Sequence, residues 1–94
     1  MNYTETLRKA KELGICPITL EVAYEFHCQV NSQDIALTPT AFEEACYLIE
    51  RAYLKSCDIS IESLTRALIN MLVNNNTQLN EIDVWDLLQR ASYY

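Results

Sequence analysis

The residues able to do covalent or acid–base chemistry are few: one histidine, His27, four cysteines, Cys16, Cys28, Cys46 and Cys57, and thirteen carboxylates. His27 could serve as a general base for Cys46 or Cys57, because a Cys–His dyad is assembled in space and needs no fixed sequence spacing. Yet His27 falls on the polar phase of its segment, where a solvated imidazole is expected. The cysteines lie 12, 18 and 11 positions apart, which matches no CxxC spacing of a zinc or redox site. They read as reduced, small, buried hydrophobes. Glu43 and Glu44 are adjacent, so on a helix their carboxylates diverge. Asp83 and Asp86 fall at the start of a predicted helix, where acids complement the macrodipole. The sequence holds no aspartate-rich calcium loop, no HExxH and no Glu-x-x-His pair. Its single glycine excludes a glycine-rich phosphate loop, a dinucleotide fingerprint and a nucleophile elbow. The expectation is a protein with no catalytic residue, no metal and no cofactor, and hence not an enzyme.

Binding chemistry is the alternative, and the charge layout frames it. The net charge is −6, unevenly spread. Residues 1–11 carry +2, residues 51–94 carry −1, and residues 12–50 carry −7 with no Lys or Arg at all. Nucleic-acid binding needs clustered positive charge to release counterions, so this stretch argues against direct contact with phosphates. It reads as a solvating face, or as a surface aimed at a basic partner. With half the residues apolar and 21% charged, the composition belongs to a globular chain with a core. No basic-then-apolar leader and no long uninterrupted apolar run are present, which predicts a cytoplasmic protein with no membrane contact.

Five segments have to position these groups. Over residues 4–13, Thr4 is a candidate N-cap, Leu7, Ala10 and Leu13 have helical spacing, and Gly14 stands where a left-handed C-cap falls. Residues 17–31 are ambiguous. Ile18, Leu20, Val22, Tyr24, Phe26, Cys28 and Val30 alternate with mostly polar neighbours, a strand-like period. The only extended stretch available to pair with it is residues 35–37, and a lone hairpin that short is weak. As a helix the segment is apolar on two opposite arcs, with Pro17 suited to the first helical position. Helix is the reading preferred here, with burial on both sides. Thr38 and Pro39 open a long helix over residues 39–56 with a stripe of Phe42, Ala45, Ile49, Ala52 and Tyr53. Ser60 caps residues 61–74, where Ile61, Leu64, Ala67, Leu68 and Met71 recur and Asn74 can close the end in a left-handed conformation. Asn80 and Asp83 resemble a capping arrangement before Ile82, Trp85 and Leu88, flanked by Val84, Leu87 and Ala91.

The expected fold is all-α, a compact bundle of four to five short helices forming one domain over residues 1–94. The alternative is an α+β fold with a small hairpin from residues 18–30 and 35–37. Tyr24, Tyr47, Tyr53 and Trp85 read first as core. Tyr47, Leu48 and Leu54 nevertheless lie off the long helix's stripe, an apolar surplus that argues for a homodimer. Tyr93 and Tyr94 follow the last helix, and with Trp85 they are candidate interface anchors. The function expected is a small acidic, non-catalytic protein–protein interaction module or regulator, homodimeric, that meets another protein with a basic surface. Its contact residues are Glu21, Glu25, Glu43, Glu44, Tyr47, Glu50, Trp85, Tyr93 and Tyr94. Two alternatives are an inhibitor or DNA mimic that occupies a cationic groove, and a helix-turn-helix regulator reading DNA with residues 61–74, whose body offers only Arg66 and Asn70 to base edges.

Overall fold

The computed structural model describes residues 3–56 and 58–92. Among them the chain forms α1 (Tyr3–Glu12), α2 (Pro17–Ser32), α3 (Pro39–Lys55), α4 (Ile61–Val73) and α5 (Val84–Ala91), with a 3-10 turn at Leu79–Glu81 before α5 and no strand. The all-α expectation holds. No helix among the described residues is long and apolar enough to cross a membrane.

Local chemistry sets most of the boundaries. Thr38 Oγ1 accepts from the Ala41 amide at 3.1 Å, with Pro39 in the first turn of α3. Ser60 Oγ accepts from the Ser63 amide at 3.1 Å and opens α4. Asp83 Oδ1 accepts from the Asp86 amide at 2.8 Å, and the Asp86 carboxylate accepts in return from the Asp83 amide, closing a capping box on α5. Asp83 is thus the cap itself, and Asn80 lies inside the 3-10 turn. Thr4, expected as a cap, lies within α1. Gly14 does take the left-handed conformation, at φ +76°, and its amide donates to the Lys11 carbonyl. After α2 that role falls to Asp34 at φ +55°, with the Ile35 amide reaching back to Val30 at 3.0 Å in a Schellman arrangement. After α4, Asn74 stays right-handed at φ −80° and the left-handed residue is Asn76, because the turn runs wider and Thr77 returns its amide to Met71.

The hairpin alternative over residues 18–30 and 35–37 is overturned. Val22, Phe26 and Val30 form one buried stripe at helical spacing, which only a helix can present to a single neighbouring surface. The second apolar arc is not buried with it: Tyr24 and Cys28 are exposed and Leu20 only half-buried, so the alternation came from apolar residues on the outer face. The burial on both sides expected of α2 is corrected accordingly.

The core runs through α2, α3, α4 and α5. Phe26, Ile49, Leu64, Leu68 and Leu87 are its largest fully buried side chains. Helix α4 packs against α2, α3 and α5, while α1 packs on α2. The Phe26 and Phe42 rings meet at 5.1 Å between centroids, tilted by 44°. Thr65 is the one buried polar side chain among the described residues, and its hydroxyl donates to the Ile61 carbonyl at 2.8 Å. In α5 the inward stripe is Val84, Leu87, Leu88 and Ala91. Ile82 precedes the helix, so the 82-to-85 spacing is not helical, and Trp85 turns outward instead of joining the stripe.

These contacts fix a graded set of stabilities. Leu64→Ala is expected to cost about 2–5 kcal/mol in urea unfolding because it empties a fully buried site. Asp83→Ala is expected to cost about 1 kcal/mol through the lost cap. Leu54→Ala, on the exposed side of α3, is expected to stay within about 0.5 kcal/mol of the parent.

Candidate interaction surface

Helix α3 shows two opposed faces. Ala45, Ile49 and Ala52 point inward and are fully buried, and their small size on two of three positions lets α3 sit close to its neighbours. Tyr47 and Leu54, two turns apart on the far side, are 63% and 59% exposed. Leu48, expected among the outward residues, is buried because α5 packs along that flank of α3. Trp85 stands on the same flank at 67% exposure, with the Lys55 ammonium 5.2 Å from its ring centroid. The Arg51 guanidinium lies 5.5 Å from the Tyr47 ring centroid. Each such cation–π contact is worth about 0.5–1 kcal/mol at an exposed site, a modest bias toward the outward ring position. The core reading of Tyr24, Tyr47 and Trp85 is therefore corrected; Tyr53 alone of that set is half-buried.

On the α2 flank of α3 lies a notch of ≈ 280 Å³, floored by Ala23, Phe42 and Cys46 and edged by Thr19, Glu43, Tyr47 and Glu50. Thr19 Oγ1 donates to Glu50 Oε1 at 2.9 Å and holds that carboxylate at the edge. Among the described residues neither Glu43 nor Glu50 is paired with a cation. Burial, followed by the charges of Glu50 and Glu43, pushes the Cys46 thiol up to about 11. A thiol so raised stays protonated at neutral pH, the reverse of what a nucleophile needs.

The acidic residues do not form one surface. Glu43, Tyr47 and Glu50 share the notch, and Glu44 is exposed one residue round the helix. Glu21 and Glu25 lie along a different groove, between α2 and α4, with Glu62, Ser60 and Tyr53. There Gln29 Nε2 donates to Glu25 at 2.8 Å and Arg66 pairs with Glu62. Tyr93 and Tyr94 lie outside the described residues, as does Cys57. Cys16 and Cys28 are exposed and Cys46 half-buried, all three unbridged, so the expectation of buried cysteines fails. His27 is exposed, with Nε2 3.0 Å from the Asn31 amide nitrogen. Sequence reasoning missed the partners that complete the surface: Thr19 and Ala23 on α2, Phe42 and Cys46 beneath, and the cations Arg51 and Lys55. Arg51 was findable, since it follows Tyr47 by one helical turn.

The raised Cys46 thiol carries a pH dependence of stability. The folded chain keeps a proton that an ordinary thiol gives up at 9.0, so this group's contribution is complete below 9.0 and is lost as the pH climbs to about 11. Urea unfolding of the parent against Cys46→Ala is expected to show the parent losing relative stability across that window. A constant difference would contradict it. Comparison with protein-family models, with curated proteins and with solved structures found no match to this chain.

Proposed function

We propose that the chain is a small non-catalytic protein–protein interaction module whose contact surface is the outer face of α3 together with Trp85. The observation that carries this reading is the exposure of Tyr47 and Leu54 on the outer side of α3 together with that of Trp85, whose ring lies against Lys55 at the end of the same helix. Aromatic anchors of this kind concentrate binding energy in interfaces, and large apolar side chains held out in water are stabilised by being covered. The protonated state of Cys46 and the solvated position of His27 support a binding role over a catalytic one. The burial of α4 weighs for protein over DNA as the partner, since its single basic residue, Arg66, is already paired with Glu62. The separation of the acids into two grooves weighs against a continuous DNA-like track.

The same three residues are those a homodimer would cover, so the occupant is either a second copy or a different protein. Light scattering of the purified chain separates the two. In either case Tyr47→Ala combined with Trp85→Ala is expected to weaken the association by about thirtyfold or more, the loss of one strong anchor. The matched control Glu21→Gln is expected to leave it unchanged. A monodisperse monomer whose bound proteins are the same for parent and double variant would end this reading.

A further inference from the structure

We infer that the notch between α2 and α3 receives a basic amphipathic helix of a partner protein, an apolar side chain entering the notch with a Lys or Arg on either side. This rests on the interaction-module reading and names the chemistry of its partner. The floor of Ala23, Phe42 and Cys46 carries no charge and offers about the space of one apolar side chain. The edge is different in kind. Glu43 and Glu50 stand two turns apart on α3, about 10 Å along the axis, too far to share one metal ion and well matched to two cations two turns apart on a partner helix, one turn to either side of its apolar residue.

Charge complementarity selects the partner's sign. The stretch from residue 12 to residue 50 supplies all of α2 and most of α3 yet contains no Lys or Arg, and among the described residues no ion pair reaches either carboxylate; the next residue on α3, Arg51, sits over Tyr47. The α2–α4 groove is the contrast, because there Glu62 already has Arg66. Thr19 adds a second asymmetry: its hydroxyl fixes the Glu50 carboxylate at the notch edge, a restraint that lowers the ordering cost of binding. An anionic or neutral segment gains nothing from this edge. A basic one neutralises two unpaired charges while its apolar residue covers the Phe42 ring and the Cys46 thiol.

The test uses the full chain, ¹⁵N-labelled, and a synthetic helical peptide presenting Lys, Leu and Lys on one face. Amide shifts are expected to centre on Thr19, Ala23, Glu43, Cys46 and Glu50. Glu43→Gln with Glu50→Gln preserves size and the Thr19 hydrogen bond and is expected to weaken the Kd about tenfold, whereas Glu21→Gln with Glu25→Gln, the same loss of charge, changes it less than about twofold. Circular dichroism confirms that both variants fold. Equal weakening by the two pairs would mean diffuse attraction and would overturn the inference, as would no binding of the peptide to the parent chain. Either failure leaves intact the dependence of association on Tyr47 and Trp85, whereas loss of that dependence removes the module reading itself.

Discussion

Helix α4 must be covered around more than half of its circumference, and the remaining helices are arranged by that demand. Seven of its thirteen residues are buried, among them Leu64, Leu68 and Thr65, whose hydroxyl, cut off from water, is satisfied by the helix's own Ile61 carbonyl. One neighbour cannot cover such an arc. Helices α2, α3 and α5 each lay one stripe against it, and each is then left with an opposite face that this core cannot use.

The outward faces differ in what they leave in water. On α2 the outward arc of Leu20, Tyr24 and Cys28 is smaller, with Leu20 half-buried and only Tyr24 and Cys28 exposed. On α3 the exposed apolar residues align: Tyr47 and Leu54 stand two turns apart, and Trp85 of α5 lies against Lys55 at the end of the same helix. A cation sits over each of the two aromatic rings. Electrostatics then divides the surroundings. The far end of α3 is basic at Arg51 and Lys55, while the α2 side is acidic at Glu43 and Glu50, with the Cys46 thiol between them pushed up first by burial and then by these two charges. The outward surface thus combines exposed aromatic rings, an apolar notch and two carboxylates that have no cation partner among the described residues.

The caps were the most legible part of the sequence. Thr38 with Pro39, Ser60 and the aspartates before α5 announce helix starts through hydrogen bonds made within four residues, so no tertiary knowledge is needed. The α4 stripe was equally plain, since a helix buried on so many positions leaves little freedom in phase. What the sequence obscured depends on which neighbour covers which flank. Leu48 and Trp85 are both large apolar residues at the edge of a stripe; the approach of α5 buries the first and leaves the second in water. The alternation in residues 18–30 likewise mixes a true core stripe with Tyr24 and Cys28, which are apolar without being buried. The acids were visible as residues but not as two separate grooves, because the split is made by which side of α2 meets α3 and which meets α4.

Trp85 is the only tryptophan in the chain, so its fluorescence reports directly on the face at the centre of this account. Acrylamide quenching of that emission, followed as the chain is concentrated and again in its purified complex with a bound protein, is the most direct test. The indole is expected to be largely open to quencher in the dilute chain, with emission shifted to shorter wavelength and quenching suppressed once the occupant is in place. Quenching that stays the same in the dilute chain, the concentrated chain and the complex would contradict it.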